Sequence, residues 1–174
     1  MATDVTTLPG TWNLDTVHSS AGFVVKHMVV AKFRGHFDTI EATLVDGVLT
    51  GAVKVDSLVV KDENLKGHLL SPDFFEAEKF PEITFKSTSI AVDGEDVTVE
   101  GELTVKGNTV PVTGKGELAG PGTDIAGNEK LGLSLEASID RTKVGLDWNA
   151  DLPKGGKALG NDVKVHVELE LVKA

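Results

Sequence analysis

Three of the chain's five histidines fall in one stretch, VHSSAGFVVKHMVVAKFRGHF (17–37), as His18, His27 and His36 spaced nine apart. Imidazole ligates metals and exchanges protons near neutral pH, so the run invites both chemistries. The spacing argues against a metal centre. Nine is odd, so along one continuous strand His18 and His27 face opposite sides, roughly 30 Å apart if extended. A hairpin could bring two together, but the third would still have to converge. The chain has no cysteine, no HExxH and no spacing of two histidines with a carboxylate. No metal and no cofactor are expected.

Taken singly, His18 sits in DTVHS (15–19), where it reads as a corner residue bonded to backbone or to Asp15, or as a contact to a ligand head group. His27 is in phase with Ala21, Phe23, Val25 and Val29 on an inward face. There it is either a satisfied core group or a polar contact inside a lumen. His36 and His166 read as solvent-facing, and His68 as either. Ser19 and Ser20 beside His18 pair a nucleophile with a base, but no third group or elbow motif supports them. GKGELAG (114–120) lacks the Lys-Ser/Thr ending of a phosphate loop. No catalytic residue is assigned, and the expectation is a binding protein rather than an enzyme. The alternatives are an enzyme using His18 or His27 as acid or base, or a structural barrel without ligand.

The totals narrow the partners. A net charge of −10 over 174 residues, with no Lys/Arg cluster, makes nucleic acid an unexpected partner. The start, MATDVTTLPG, has no basic and no apolar signal region. No apolar run approaches the roughly 18 residues of a membrane span. With Met1 as the true start the expectation is a cytoplasmic protein. A trimmed leader would make it secreted or periplasmic.

The elements that must position these groups are strands. DVTVEGELTVKG alternates Val97, Val99, Gly101, Leu103 and Val105 against Thr98, Glu100, Glu102 and Thr104; TVPVTGKGEL, LGLSLEASID and NDVKVHVELELV alternate likewise. Earlier strands are expected at 11–16, 19–29, 33–46, 48–59 and 82–92, with a phase slip between Phe37 and Ile40 that predicts a bulge or bend. Asp46-Gly47, Asp93-Gly94 and Lys106-Gly107-Asn108 predict hairpins. Residues 62–81 break the pattern: Leu65, Leu69 and Leu70 fit a helical turn, and Ser71-Pro72-Asp73 predicts a helix start that Phe80-Pro81 would end.

Alternating faces fit a closed barrel or a two-sheet sandwich. Long strands, and strand faces that mix aliphatics with Gly22, Gly101, Gly114, Gly116 and Ala137, favour a barrel with space inside, and about eight strands is the smallest barrel that holds a ligand. The expected fold is an all-β, antiparallel eight-stranded barrel over residues 1–174 with a short helical insert at about 62–80. Its lining would include Phe23, Val25, His27, Phe85, Val99, Leu103, Leu133, Leu135, Val165 and Val167. Leu69, Phe74 and Phe75 of the insert, and Trp148, would form its mouth.

GTWNLDTVHSSAGFVVKHM (10–28), FRGHFDTIEATL (33–44), HLLSPDFFEAEKFPEITFKSTSI (68–90), GELTVKGNTVPVT (101–113), GLDWN (145–149) and VKVHVELELV (163–172) follow in an order that resembles the YceI-like polyisoprenoid-binding family. The resemblance implies an extended lipocalin-like barrel that binds a long isoprenoid or similar amphiphilic lipid without covalent chemistry, and a homodimer. Two positions depart from the family pattern. Leu65 and Lys66 stand where it carries Arg-Asp, and Val144 where it carries an aromatic residue. Both lie near the expected mouth and bear on the ligand more than on the fold.

Overall fold

The structure, a computed structural model, describes residues 3–4 and 9–174. Among these residues run β1 (Thr3–Asp4), β2 (Thr11–Leu14), β3 (Ser20–His27), β4 (Ala31–Phe37), β5 (Ile40–Val45), β6 (Val48–Lys54) and β7 (Leu58–Val59). After the helix α1 (Glu63–Leu70) come β8 (Glu82–Asp93), β9 (Asp96–Val105), β10 (Asn108–Thr123), β11 (Glu129–Asp140) and β12 (Leu159–Lys173).

Eight of these strands, β2, β5, β6, β8, β9, β10, β11 and β12, pair antiparallel in a closed ring. The wall is taller on one side because β12 is long. Its last residues pair with β2 and the rest with β3, which pairs with β4, which pairs with β7. So β2/β3, β4/β5 and β6/β7 are broken strands, each serving both storeys of the barrel. The break at Phe37–Ile40 falls where the apolar phase slips: the backbone N–H of Asp38 donates to Ser57 O at 3.1 Å and Lys54 N–H to Thr39 O at 3.0 Å across the bend.

Local chemistry explains the connections. Asp46-Gly47 turns with φ of 47° and 82°, the doubly left-handed pair that two-residue hairpins favour. A bulge at Thr88 of β8 adjoins the buried Ser87, whose hydroxyl accepts from Leu49 N–H of β6 at 2.8 Å.

The insert holds one helix, not two. Asp62 caps α1, accepting from Asn64 N–H at 2.8 Å and Leu65 N–H at 3.2 Å. Ser71, expected to start a second helix, instead ends the first, and residues 72–79 form turns in which Phe75 N–H reaches back to Leu69 O at 2.9 Å. Adjacent side chains on a helix diverge by about 100°. Turns instead let the neighbouring Phe74 and Phe75 both bury, to 5% and 9% exposure.

Two apolar clusters fill the ends. Trp12, Leu44, Leu49, Ile90, Val97, Leu131 and Leu171 close one end. Phe37, Ile40, Val55, Leu58, Leu69, Phe74, Phe75 and Val144 pack at the other, beneath the insert. The interior glycines do not all leave space. A Cβ on Gly101 would lie 2.5 Å from the Phe85 ring, one on Gly116 would overlap Ser134 O, and Gly22 lies outward under the His166 ring. Of that set, Gly114, Ala137 and the backbone of Gly22 border the interior cavity.

Candidate functional site

Between the two packed ends lies a cavity of about 500 Å³, within the range typical of small-molecule sites. Thirteen of the fourteen residues expected to contact a ligand line it: Phe23, Val25 and His27 from β3, Phe85 from β8, Val99 and Leu103 from β9, Leu135 from β11, Val165 and Val167 from β12, and Leu69, Phe74, Phe75 and Trp148 from the insert and the loop after β11. Leu133 does not. It lies one inward step further along β11 and packs in the closed-end cluster. The walls are almost wholly apolar because each strand turns its aliphatic face inward at period two.

The rim is aromatic. The His68 ring stands edge-on to Phe74 and to Trp148, with centroids 5.0 and 4.9 Å away, and Phe74 meets Trp148 at 5.4 Å. His68 Nε2–H donates to the Asp73 carboxylate at 3.0 Å, which fixes the ring's plane. Leu65 also lines the cavity from α1, whereas Phe80 of the insert packs on the Gly107 turn with Lys79 Nζ 5.4 Å from its centroid. His27 ends β3 against Phe33, with ring centroids 6.5 Å apart, and brings an imidazole to the mostly apolar wall.

Trp148 is held by Arg141, a residue the sequence reading passed over. Arg141 is 4% exposed and lines the cavity. Its Nε–H donates to Gly160 O at 2.8 Å, and Nη1 donates to Leu146 O and, at 2.8 Å, to Trp148 O, while Nη2 is buried without a partner among the described residues. Burial pushes its pKa down, opposed by the charges of Asp140 and Asp147. Asn149 completes the clasp, donating to Leu159 O at 2.8 Å and accepting from Leu159 N–H at 3.0 Å. Thus GLDWN is a loop pinned at both ends, carrying Leu146 and Trp148 over the opening.

The histidine run is dispersed. His36 is exposed beside Asp38 at 3.3 Å, and His166 is exposed. His18 does sit at a corner: Nδ1 lies 2.9 Å from Asp15 Oδ2 and 3.0 Å from Glu170 Oε2. The hydrogen bond from His18 is the main cause that lowers the Asp15 carboxyl to about 2. That bond, with the charges of Asp15 and Glu170, raises His18 above 6.5. The three groups lie close enough to share a cation, a convergence the linear spacing hid. Lys130 Nζ already stands 3.7 Å from Asp15, 3.5 Å from Glu170 and 3.5 Å from Asp124, so their negative charge is met by an ammonium. Ser19 is equally engaged, donating to Asp15 O at 2.7 Å and accepting from Glu170 N–H at 3.0 Å.

The YceI-like domain model matches residues 12–171. The chain belongs to the YceI-like family. A UPF0312 protein of Staphylococcus aureus strain USA300 is 32% identical over 167 residues, covering 91% of this chain and 95% of its own. In solved structures the same barrel recurs in Burkholderia cenocepacia BcnA, with a TM-score of 0.77 at 23% identity over 90% of this chain and 98% of that one. A polyisoprenoid binding domain from Saccharophagus degradans, implicated in plant cell wall breakdown, aligns with a TM-score of 0.73 at 14% identity over 94% and 98% of the two chains. At these identities the solved structures bear on the fold, and the YceI-like barrel is what they share.

Proposed function

We propose that this YceI-like chain binds a long-chain isoprenoid or similar amphiphilic lipid in its cavity, without covalent chemistry, to store or carry it. The observation that carries the reading is the cavity itself, about 500 Å³ walled by inward aliphatic and aromatic side chains and edged by the His68–Phe74–Trp148 cluster. At about 0.8 kcal/mol per buried methylene, about ten carbons contribute about 8 kcal/mol before the cost of ordering them. The polyisoprenoid binding domain of S. degradans supports an isoprenoid as the occupant. His27 and His68 give the polar end of an amphiphile something to meet.

Binding rather than turnover is supported by the state of the reactive groups. Ser19 is committed to backbone, and His18 is committed to carboxylates outside the cavity. A homodimer belongs to the same reading through the family resemblance; sedimentation of a sole 18.4 kDa species at micromolar concentration overturns that part.

The test is displacement of a fluorescent acyl probe by competitors of graded length. Prenyl alcohols and isoprenoid quinones should displace it with affinity rising per added isoprene unit until the cavity is full. Competitors without effect at any length, or a probe that never binds, overturn the reading.

A further inference from the structure

The hairpin between β3 and β4 turns on Met28 and Val29, with φ of 51° and 68°. Left-handed backbone is uncommon outside glycine and an outlier for a β-branched residue. Val30 N–H closes back on Met28 O at 2.8 Å, a tight turn around Val29, and Met28 N–H is tied to Ala158 O at 2.7 Å. The strained tip presents apolar groups to water: Met28 is 45%, Val29 50% and Val30 89% exposed.

Charge around the tip runs against the rest of the molecule. The protein carries 27 carboxylates and 17 basic residues. Yet residues 26–34 (KHMVVAKFR) and the neighbouring 152–160 (LPKGGKALG) hold Lys26, Lys32, Arg34, Lys154 and Lys157 and no carboxylate. The two segments are neighbours through the Met28–Ala158 bond and through Val29, whose Cγ2 would lie 3.2 Å from a Cβ on Gly156. Asp151 neutralises Lys157 alone. Met28 also lines the cavity, so the cavity reaches the surface beside this tip.

We propose that the Met28–Val30 tip docks the barrel on an anionic lipid surface, with the valines entering the interface and the surrounding cations meeting headgroups. An apolar tip ringed by lysines is the pattern of a reversible interfacial anchor, and each cation near an anionic leaflet adds attraction. Docking there sets the cavity opening against the bilayer, where a lipid could pass without crossing water. This deepens the lipid-binding reading and rests on it for its purpose.

The experiment is co-sedimentation with vesicles of phosphatidylcholine alone or with phosphatidylglycerol at about 30%, at low and high salt, for the parent chain and for Val30→Asp and Lys32→Glu. An acyl probe titrated without vesicles is the parallel readout. The parent should bind the anionic vesicles, less at high salt, and each variant should bind about fivefold to tenfold more weakly, with probe affinity unchanged. Equal vesicle binding by parent and variants, or none at low salt, overturns docking even if the probe binds. A probe that fails while vesicles bind overturns the cavity reading and leaves docking intact. Self-association lost in Val30→Asp, without vesicle binding, would make the tip a contact between copies and overturn the proposal.

Discussion

Arg141 donates a hydrogen bond to the backbone carbonyl of Trp148 at 2.8 Å, so a buried guanidinium positions the aromatic residue that edges the cavity. Arg141→Met removes donors from three backbone carbonyls and frees the 146–160 loop. Stability should fall by about 2 kcal/mol or more, given what hydrogen bonds to charged groups contribute. In a Trp12→Phe background the remaining fluorescence should shift to the red. A urea midpoint within error of the parent would show that the loop holds itself.

The His68–Phe74–Trp148 cluster should govern how long a ligand stays. Phe74→Leu keeps an apolar side chain at the rim but loses the ring contacts, about 1 kcal/mol by the usual size of aromatic pairs, or about fivefold in rate. Stopped-flow release of a bound acyl probe should quicken by about that factor while circular dichroism stays unchanged. Unaltered release would make the cluster packing only and place the exit elsewhere.

Filling the cavity should separate binding from folding. Ala137 faces the cavity from β11, and Ala137→Phe adds a ring where there is space. Probe affinity should fall at least about tenfold, while stability holds or rises by about 1 kcal/mol, as cavity filling commonly gives. A variant that binds as the parent does would show that ligands do not enter this space.

The corner at Asp15–His18–Glu170 should depend on pH in a defined direction. A histidine raised on folding contributes stability that is fully present below its unfolded value near 6.5 and lost as pH rises through its folded value. Asp15, lowered to about 2, contributes above 3.8 and loses its part as pH falls towards 2. The corner is therefore tightest between about pH 4 and 6.5. NMR should show His18 titrating above 6.5, and His18→Gln should flatten the pH dependence of amide exchange at Ser19 and Glu170. A His18 that titrates at or below 6.5 contradicts the geometry.

Much of this was legible in the sequence because a barrel strand writes its inward face at every second residue. The β9 run Val97–Val105 and the β12 run Val163–Leu171 face inward as their alternation predicted, and the phase slip at Phe37–Ile40 is the break between β4 and β5. Local pattern misled where distant partners decide. Ser71-Pro72-Asp73 carries the signals of a helix start, but burying two adjacent phenylalanines overrode them. Gly101 looked like empty space because the Phe85 ring that fills it comes from the next strand. Leu133 shares its strand face with Leu135, yet only depth along the barrel separates cavity wall from closed end, and period two carries no depth. Arg141 was within reach, since it takes the next inward position after Ile139, where a charge must find carbonyls or a ligand.

The central claim is that the cavity holds a long apolar chain, and a crystal structure of protein isolated from its native cells, with mass spectrometry of a solvent extract of the same sample, tests it most directly. The account predicts continuous elongated density running from the Phe85–Val99 wall past Val165 and Val167 to the His68–Phe74–Trp148 rim, and an extracted prenyl or acyl lipid that rebinds the stripped protein. Side chains closed across the axis, with no extractable lipid and no rebinding by prenyl or acyl probes, would contradict it.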